Sequence, residues 1–223
     1  MFTGLIETTG TLLRAVPRSG DLVVSVRTPE GFMDDVALGD SIAVNGICLT
    51  ATVLRPDGFD ADVSNETRAH TLVDSWRPGR PVNLEKALTL STRLGGHLVT
   101  GHVDGVGTVR RRERDSRALR LRVAAPAELH PYLAPRGSVC VDGVSLTLNS
   151  FDNGEFGLTI VPHTADRTTL CRLNTGDRVH IEVDIVARYL KHLMHYAHRE
   201  DTASAPGVTL EALVAAGFGR PGS

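Results

Sequence analysis

The sequence predicts an all-β protein: two tandem, similar, six-stranded Greek-key-like barrels followed by a C-terminal α-helix. Three observations carry that prediction. The chain repeats itself at an offset of 97 residues, from Asn45 to Asp142. Each copy consists of short runs rich in Val, Ile, Leu and Thr, separated by turn signals. A helical hydrophobic period begins only after Asp184.

The repeat needs no gap. Thr3-Gly4 falls on Thr100-Gly101, Gly10-Thr11 on Gly107-Thr108, and Pro29 on Pro126. Phe59, Thr67, Thr71 and Gly79 fall on Phe156, Thr164, Thr168 and Gly176, and Val82 with Glu85 on Val179 with Glu182. About a quarter of the positions agree, against roughly one in sixteen expected from background composition. Two copies at this period are a duplicated domain, not a solenoid. At 223 residues the chain has room for two domains of about 100 residues. The reading divides it into residues 1–97, 98–185 and 186–223.

Turn signals mark the strand ends: "RSGD", "NG", "PDG" and "RPG" in the first copy, "DG", "DNG" and "NTG" in the second. "PEGFMDDVAL" and "PAELHPYLAP", at matching places, predict short helical connections. Six short strands per copy favour a closed barrel, because closure removes the exposed sheet edges. Beyond Asp184, Val186, Tyr189, Leu190, Leu193, Tyr196 and Ala197 form one apolar helical stripe. "VTLEALVAAGFG" predicts a short second helix after the interruption "TASAPG". Such a stripe must be covered, either by its own domain or by other subunits.

Composition excludes several function classes. The formal charge is −2, and the densest basic run, Arg110 to Arg114, is interrupted by Glu113 and followed by Asp115. No nucleic-acid footprint is therefore expected. Cys48, Cys140 and Cys171 match neither a disulfide framework nor a zinc spacing. The N-terminal "MFTGLIETTG" has no signal-peptide pattern and no long apolar run follows, so no membrane association and a cytoplasmic location are expected.

Function is suggested by a phrase written twice: "VNGICLT" at Val44–Thr50 and "VDGVSLT" at Val141–Thr147. Asn-Gly and Asp-Gly between β-rich runs specify type I′ hairpins, whose central residues both need positive φ. With that turn, Ile42, Val44, Ile47 and Leu49 share an apolar face, and Ser41, Ala43, Cys48 and Thr50 share the other. In the second copy Val139, Val141, Val144 and Leu146 oppose Ser138, Cys140, Ser145 and Thr147. One small polar face alone would read as a solvent-facing strand. Its recurrence points to a polar ligand surface.

The copies differ in their reactive types. Cys48 becomes Ser145, Leu5 becomes His102, Ala87 becomes Asp184, and Glu66 becomes His163. A thiol thus stands in the first copy, and an imidazole with a carboxylate in the second. Histidine shuttles protons near neutral pH, and a thiolate is a strong nucleophile. His97 and His102, five apart, share no face on a strand or a helix, so no metal site is expected there. For His97 a hydrogen-bonded structural role and a functional one stay open.

"MFTGLIE", "GDSIAVNGICLT", "GGHLVTGHVDG" and "GSVCVDGVSLT" together resemble the riboflavin synthases of the α-chain type, in order and spacing, from Met1 to about Asp184. The resemblance implies that each barrel binds one 6,7-dimethyl-8-ribityllumazine. One lumazine gives a four-carbon unit to the other, yielding riboflavin and 5-amino-6-ribitylamino-uracil without metal or organic cofactor. It also implies a homotrimer held by its terminal helices, with each active site formed between barrels of different subunits.

Carried over residue by residue, the resemblance assigns a first site to Gly4, Leu5 and Ile6, to Cys48, Leu49 and Thr50, and to the closing segment Asp62, Val63, Ser64, Asn65, Glu66 and Thr67. It assigns a second to Gly101, His102 and Val103, to Ser145, Leu146 and Thr147, and to Ile160, Val161, Pro162, His163, Thr164 and Ala165. Arg136 supplies a substrate-reaching cation where some relatives have lysine. His102 is expected to transfer the proton, Cys48 and Ser41 to relay protons or add as nucleophile, Ser145 and Thr147 to polarise or position substrate, and Asp184 to orient it. Antenna proteins that bind lumazine or flavin without turnover resemble this sequence too. The joint presence of Cys48, Ser41, His102 and Asp184 favours an enzyme. A flavoprotein reductase is disfavoured, because "GVGTV" has no strand–helix setting for a dinucleotide.

Overall fold

A computed structural model describes residues 1–18, 20–202 and 216. The first barrel is built from β1 (Thr8–Arg18), β2 (Asp21–Arg27), β3 (Ser41–Val44), β4 (Ile47–Arg55), β5 (Gly58–Val63) and β6 (Pro81–Lys86). The short helix α1 (Asn65–His70) lies between its last two strands. The second barrel repeats the plan with β7 (Gly105–Asp115), β8 (Ala118–Ala124), β9 (Ser138–Val141), β10 (Val144–Asp152), β11 (Glu155–Ile160), α2 (Pro162–Arg167) and β12 (Arg178–Val183). Around each closed barrel the order is first, second, fifth, fourth, third, sixth strand, all antiparallel.

The duplication extends to irregularities. Strand registers slip between Leu12 and Arg14 and between Ala51 and Val53 in the first barrel. The same slips recur 97 residues on, between Val109 and Arg111 and between Leu148 and Ser150. Such bulges add the local twist that lets a small sheet close on itself. Alternation then fills each interior: Leu12, Ile42, Val44, Ile47, Phe59 and Leu84 in one barrel, Val109, Val139, Val141, Leu148, Phe156 and Ile181 in the other. Each such side chain contributes about 1.5–3 kcal/mol by leaving water.

The expected hairpin register is the observed one: Ser41 faces Thr50, Ile42 Leu49, Ala43 Cys48 and Val44 Ile47, with the second copy matching. Asn45 and Gly46 have φ of 47° and 79°, Asp142 and Gly143 45° and 84°. The expected short helices behave differently. Residues 29–38 form successive turns, with Gly31 at φ 83° breaking any helical run. Ala127–Tyr132 makes a 3-10 helix, its internal Pro131 unable to donate an α-helical bond. The expected helix after Asp184 is α3 (Ile185–Thr202). Ala197's side chain and the second helix expected in "VTLEALVAAGFG" lie outside what the structure describes.

The barrels meet through residues matched at the 97-residue offset. Phe2 and Val99 form an antiparallel bridge, with N···O distances of 2.7 and 3.1 Å, and pack with Ala43 and Cys140 into a small core. Part of the face expected to meet ligand is therefore buried between barrels: Ala43 and Cys140 are each 2% exposed. The two hairpin tips touch, and a side chain on Gly46 would come within 2.7 Å of Gly143 N.

Matched strand residues clasp the tips. Asn83 donates from Nδ2 to the carbonyl of Asp142 (2.8 Å) and accepts Thr169 N–H at Oδ1 (2.8 Å). His180, its counterpart, is bonded from Nδ1 to the carbonyl of Asn45 (2.8 Å) and accepts Leu72 N–H at Nε2 (2.8 Å). An imidazole in one copy does what an amide does in the other.

Candidate active site

The residues ahead of each first strand do not stay with their own barrel. Cys48 N–H on β4 donates to the carbonyl of Gly101 (2.8 Å), and Ser145 N–H on β10 donates to the carbonyl of Gly4 (2.8 Å). Each leading segment thus crosses to extend the other barrel's hairpin. Gly4 and Gly101 sit at φ 75° and 80°, and a Cβ on Gly101 would come within 2.6 Å of that of Cys48. Only glycine fits such a crossing. The expected grouping set Gly4–Ile6 beside Cys48. Within this chain it is Gly101, His102 and Val103 that stand there, and Gly4 stands against Ser145.

The crossing brings the thiol and an imidazole together. Cys48, Thr67, Glu66, Gly101, His102 and Val103 line one cleft of about 300 Å³. Cys48 is half-buried, while the ring of His102 is exposed to the cleft. Ser64 caps α1, accepting Thr67 N–H at 3.2 Å. Glu66 is engaged with His70 at 3.1 Å.

At the matching place in the other copy stands a hydroxyl–imidazole pair. His97 Nδ1 lies 2.7 Å from Ser145 Oγ. The ring is 8% exposed, and its Nε2 has no hydrogen-bond partner among the described residues. Burial lowers the proton affinity of His97, and the charge of Asp184 partly offsets this. Asp184 itself accepts Val186 N–H at 2.9 Å, at the start of α3. A neutral imidazole bonded to a hydroxyl can pass a proton through it.

The other expected residues are distributed unevenly. Ser41 is half-buried opposite exposed Thr50, and Thr147 is exposed opposite Ser138. Leu49, Leu146, Val63 and Ile160 point into the barrel cores, so they offer a site mainly their backbone. Asp62, Asn65, Val161 and His163 are exposed, and Leu5 is too. Ile6, Pro162, Thr164 and Ala165 are half-buried. Arg136 is exposed at φ 70°, a left-handed position that Gly39 fills in the first copy. No cluster of metal-binding side chains occurs among the described residues.

Two further carboxylates belong to this region. Glu85 on β6 accepts Thr3 N–H (2.7 Å), Thr3 O–H (2.6 Å) and Gly4 N–H (2.9 Å). Glu182 on β12 accepts Thr100 N–H (2.6 Å), Thr100 O–H (2.7 Å) and Gly101 N–H (3.0 Å). Burial raises the pKa of both, against the pull of those donors. Their recurrence at the 97-residue offset was the signal that could have singled them out.

The duplication is also found in comparison with known proteins. The profile of the lumazine binding domain matches twice, over residues 3–87 and 100–184. A riboflavin synthase of Photobacterium leiognathi is 48% identical over 194 residues, covering 87% of this chain and 89% of that protein. One of Photobacterium phosphoreum is 43% identical over 218 residues, covering 98% and 99%. One of Bacillus subtilis is 38% identical over 202 residues, covering 91% and 94%. Among solved structures, LumP complexed with riboflavin superposes with a TM-score of 0.77 at 22% identity, covering 82% of this chain and 99% of LumP. LumP complexed with 6,7-dimethyl-8-(1'-D-ribityl) lumazine gives 0.75 at 21% identity with the same coverage. At that identity the likeness is one of fold.

Proposed function

As the chain belongs to the riboflavin synthase family of paired lumazine binding domains, we propose that it joins two molecules of 6,7-dimethyl-8-ribityllumazine. One passes a four-carbon unit to the other, giving riboflavin and 5-amino-6-ribitylamino-uracil. The observation that carries the reading is that matched positions of one duplicated cradle hold different reactive groups. Cys48 shares a cleft with His102, whereas Ser145 is bonded to His97. Two similar sites suit two copies of one substrate. Unlike groups suit a donor and an acceptor.

The chemistry needs a proton to leave the 7-methyl group of one lumazine and a nucleophile to add at C7 of the other. His102, exposed to the cleft beside Cys48, is suited to the first task. Cys48, or a water relayed through Ser41, is suited to the second. Ser145, with His97 as proton acceptor and donor behind it, can shuttle protons at the other cradle. Thr147 and Asp184 position substrate and Arg136 offers a cation. Holding two heterocycles in register contributes on the order of 7–11 kcal/mol on its own.

Assembly belongs to the same proposal. Tyr189, Leu190 and Leu193 on α3 are each more than half exposed, and an apolar helical face of this kind needs a cover. Three copies of the chain, joined through these helices, would supply it and would bring barrels of different subunits face to face over the two substrates. The three free cysteines suit the reducing cytoplasm.

The test is to incubate the purified protein with a large excess of the lumazine alone. Many equivalents of riboflavin per chain support the reading. Lumazine that binds and survives would instead make the protein a chromophore carrier.

A further inference from the structure

We propose that Glu182 is a positioning residue for His102: from the last strand of the second barrel its carboxylate holds the Thr100–Gly101 backbone across β4 of the first barrel and so sets where the imidazole stands beside Cys48. Three donors converge on two oxygens, Thr100 N–H and O–H on Oε1 and Gly101 N–H on Oε2, at 2.6 to 3.0 Å. The hydroxyl of Thr100, its hydrogen directed at the carboxylate, accepts the N–H of His102 itself at 3.3 Å. From the opposite side Cys48 N–H holds the carbonyl of Gly101 at 2.8 Å. Among the described residues, the backbone of Thr100 and Gly101 is thus bonded to Glu182 and to Cys48, and the N–H of His102 returns to the Thr100 hydroxyl. A carboxylate suits this place because it only accepts. An amide would turn one of the two oxygens into a donor facing N–H or O–H groups.

The molecule contains its own control. Glu85 makes the same three contacts with Thr3 and Gly4, Leu5 N–H reaches the hydroxyl of Thr3 at 3.0 Å, and Ser145 N–H holds Gly4. That clamp leads to Leu5, which carries no proton to transfer, and its Thr3–Gly4 backbone accepts His97 N–H at 3.1 Å and Ser145 N–H at 2.8 Å. The two glutamates therefore do equal structural duty, but only Glu182 acts on His102.

The inference rests on His102 being the proton-transfer group proposed above. It is tested with E182Q and E85Q, measuring melting temperature, kcat and KM on the lumazine, and the pH titration of the His102 imidazole by 15N NMR. The expected result is similar thermal destabilisation of both variants. The kcat of E182Q falls about 100-fold, the scale of an ångström of misplacement, with KM changed less than the rate, and the His102 titration is displaced in E182Q alone. E85Q leaves the His102 titration where it is in the wild type. A kcat of E182Q near that of the wild type, or a His102 titration unmoved by E182Q or moved equally by E85Q, would overturn the assignment and leave both glutamates as staples. A wild-type protein without turnover would refute the dismutation reading instead, while the NMR titration would still decide whether Glu182 aims the ring.

Discussion

Replacing Asp142 with asparagine should stabilise the fold above neutrality, by an amount that depends on pH in a calculable way. Asp142 lies at the tip of the second hairpin, 2% exposed, and its Oδ1 accepts His180 N–H at 2.8 Å. Burial raises its pKa from an ordinary 3.8 to about 7. The unfolded chain ionises this carboxyl near 3.8 and the folded one only near 7. The fold therefore holds the proton more tightly, and that contribution, complete below 3.8, is lost as pH rises to 7. At about 1.4 kcal/mol per unit, the loss between pH 5 and pH 8 is about 3 kcal/mol. Asparagine has no proton to lose. The first copy shows that it fits: Asn45, at φ 47°, accepts Asn83 N–H at 2.7 Å in the equivalent place. His180, pushed down to about 4 by burial, costs stability as pH falls below 6.5, and its ring, 3.7 Å from Asp142 Oδ1, is neutral in the fold at both pH 5 and pH 8. Urea unfolding of wild type and D142N at pH 5 and pH 8, at one protein concentration, measures the difference. It should grow by about 3 kcal/mol toward pH 8. A difference equal at the two pH values would refute the claim that this carboxyl is held neutral inside the clasp.

His102→Gln should lower kcat by about 10²–10⁴-fold with lumazine binding retained, as followed by fluorescence titration. Cys48→Ala tests the thiol separately, and turnover near wild type would remove it from the chemistry. Gly101→Ala should cost at least about 1–3 kcal/mol in thermal or urea unfolding through left-handed strain, with further loss from contact with Cys48, and turnover should fall with it. Leu190→Ser with Leu193→Ser should convert a trimer into monomers in sedimentation velocity, with the β-sheet circular dichroism unchanged. A trimer that persists would place the assembly contacts elsewhere.

Much of the architecture was legible because its determinants are local. Asn45-Gly46 and Asp142-Gly143 demand a two-residue turn, and the turn fixes the register of Ser41 to Thr50 and of Ser138 to Thr147. The stripe from Val186 to Tyr196 likewise lies on the helix that its spacing demands. The connection around Gly31 misled, since its left-handed glycine breaks the helix expected there, whereas the one around Pro131 is the short helix expected, in 3-10 form. The crossing of the leading segments was not legible. Whether Gly101 pairs with Cys48 or with Ser145 is decided by the meeting of two barrels, which leaves no local pattern. The role of His97 stayed open for another reason: it stands one residue before the second copy's first counterpart, Leu98 to Met1. Comparing the copies could not decide it. Nor could it expose the clasp, where Asn83 and His180 look unlike and do the same work.

The most direct test of the central claim, that two unlike cradles process two copies of one substrate, is a mass balance. Purified protein would be given 6,7-dimethyl-8-ribityllumazine as its sole organic substrate, and all pigments and pyrimidines followed to completion by chromatography. The account predicts one riboflavin and one 5-amino-6-ribitylamino-uracil for every two lumazines consumed. Riboflavin formed only when a separate four-carbon donor is supplied would contradict it.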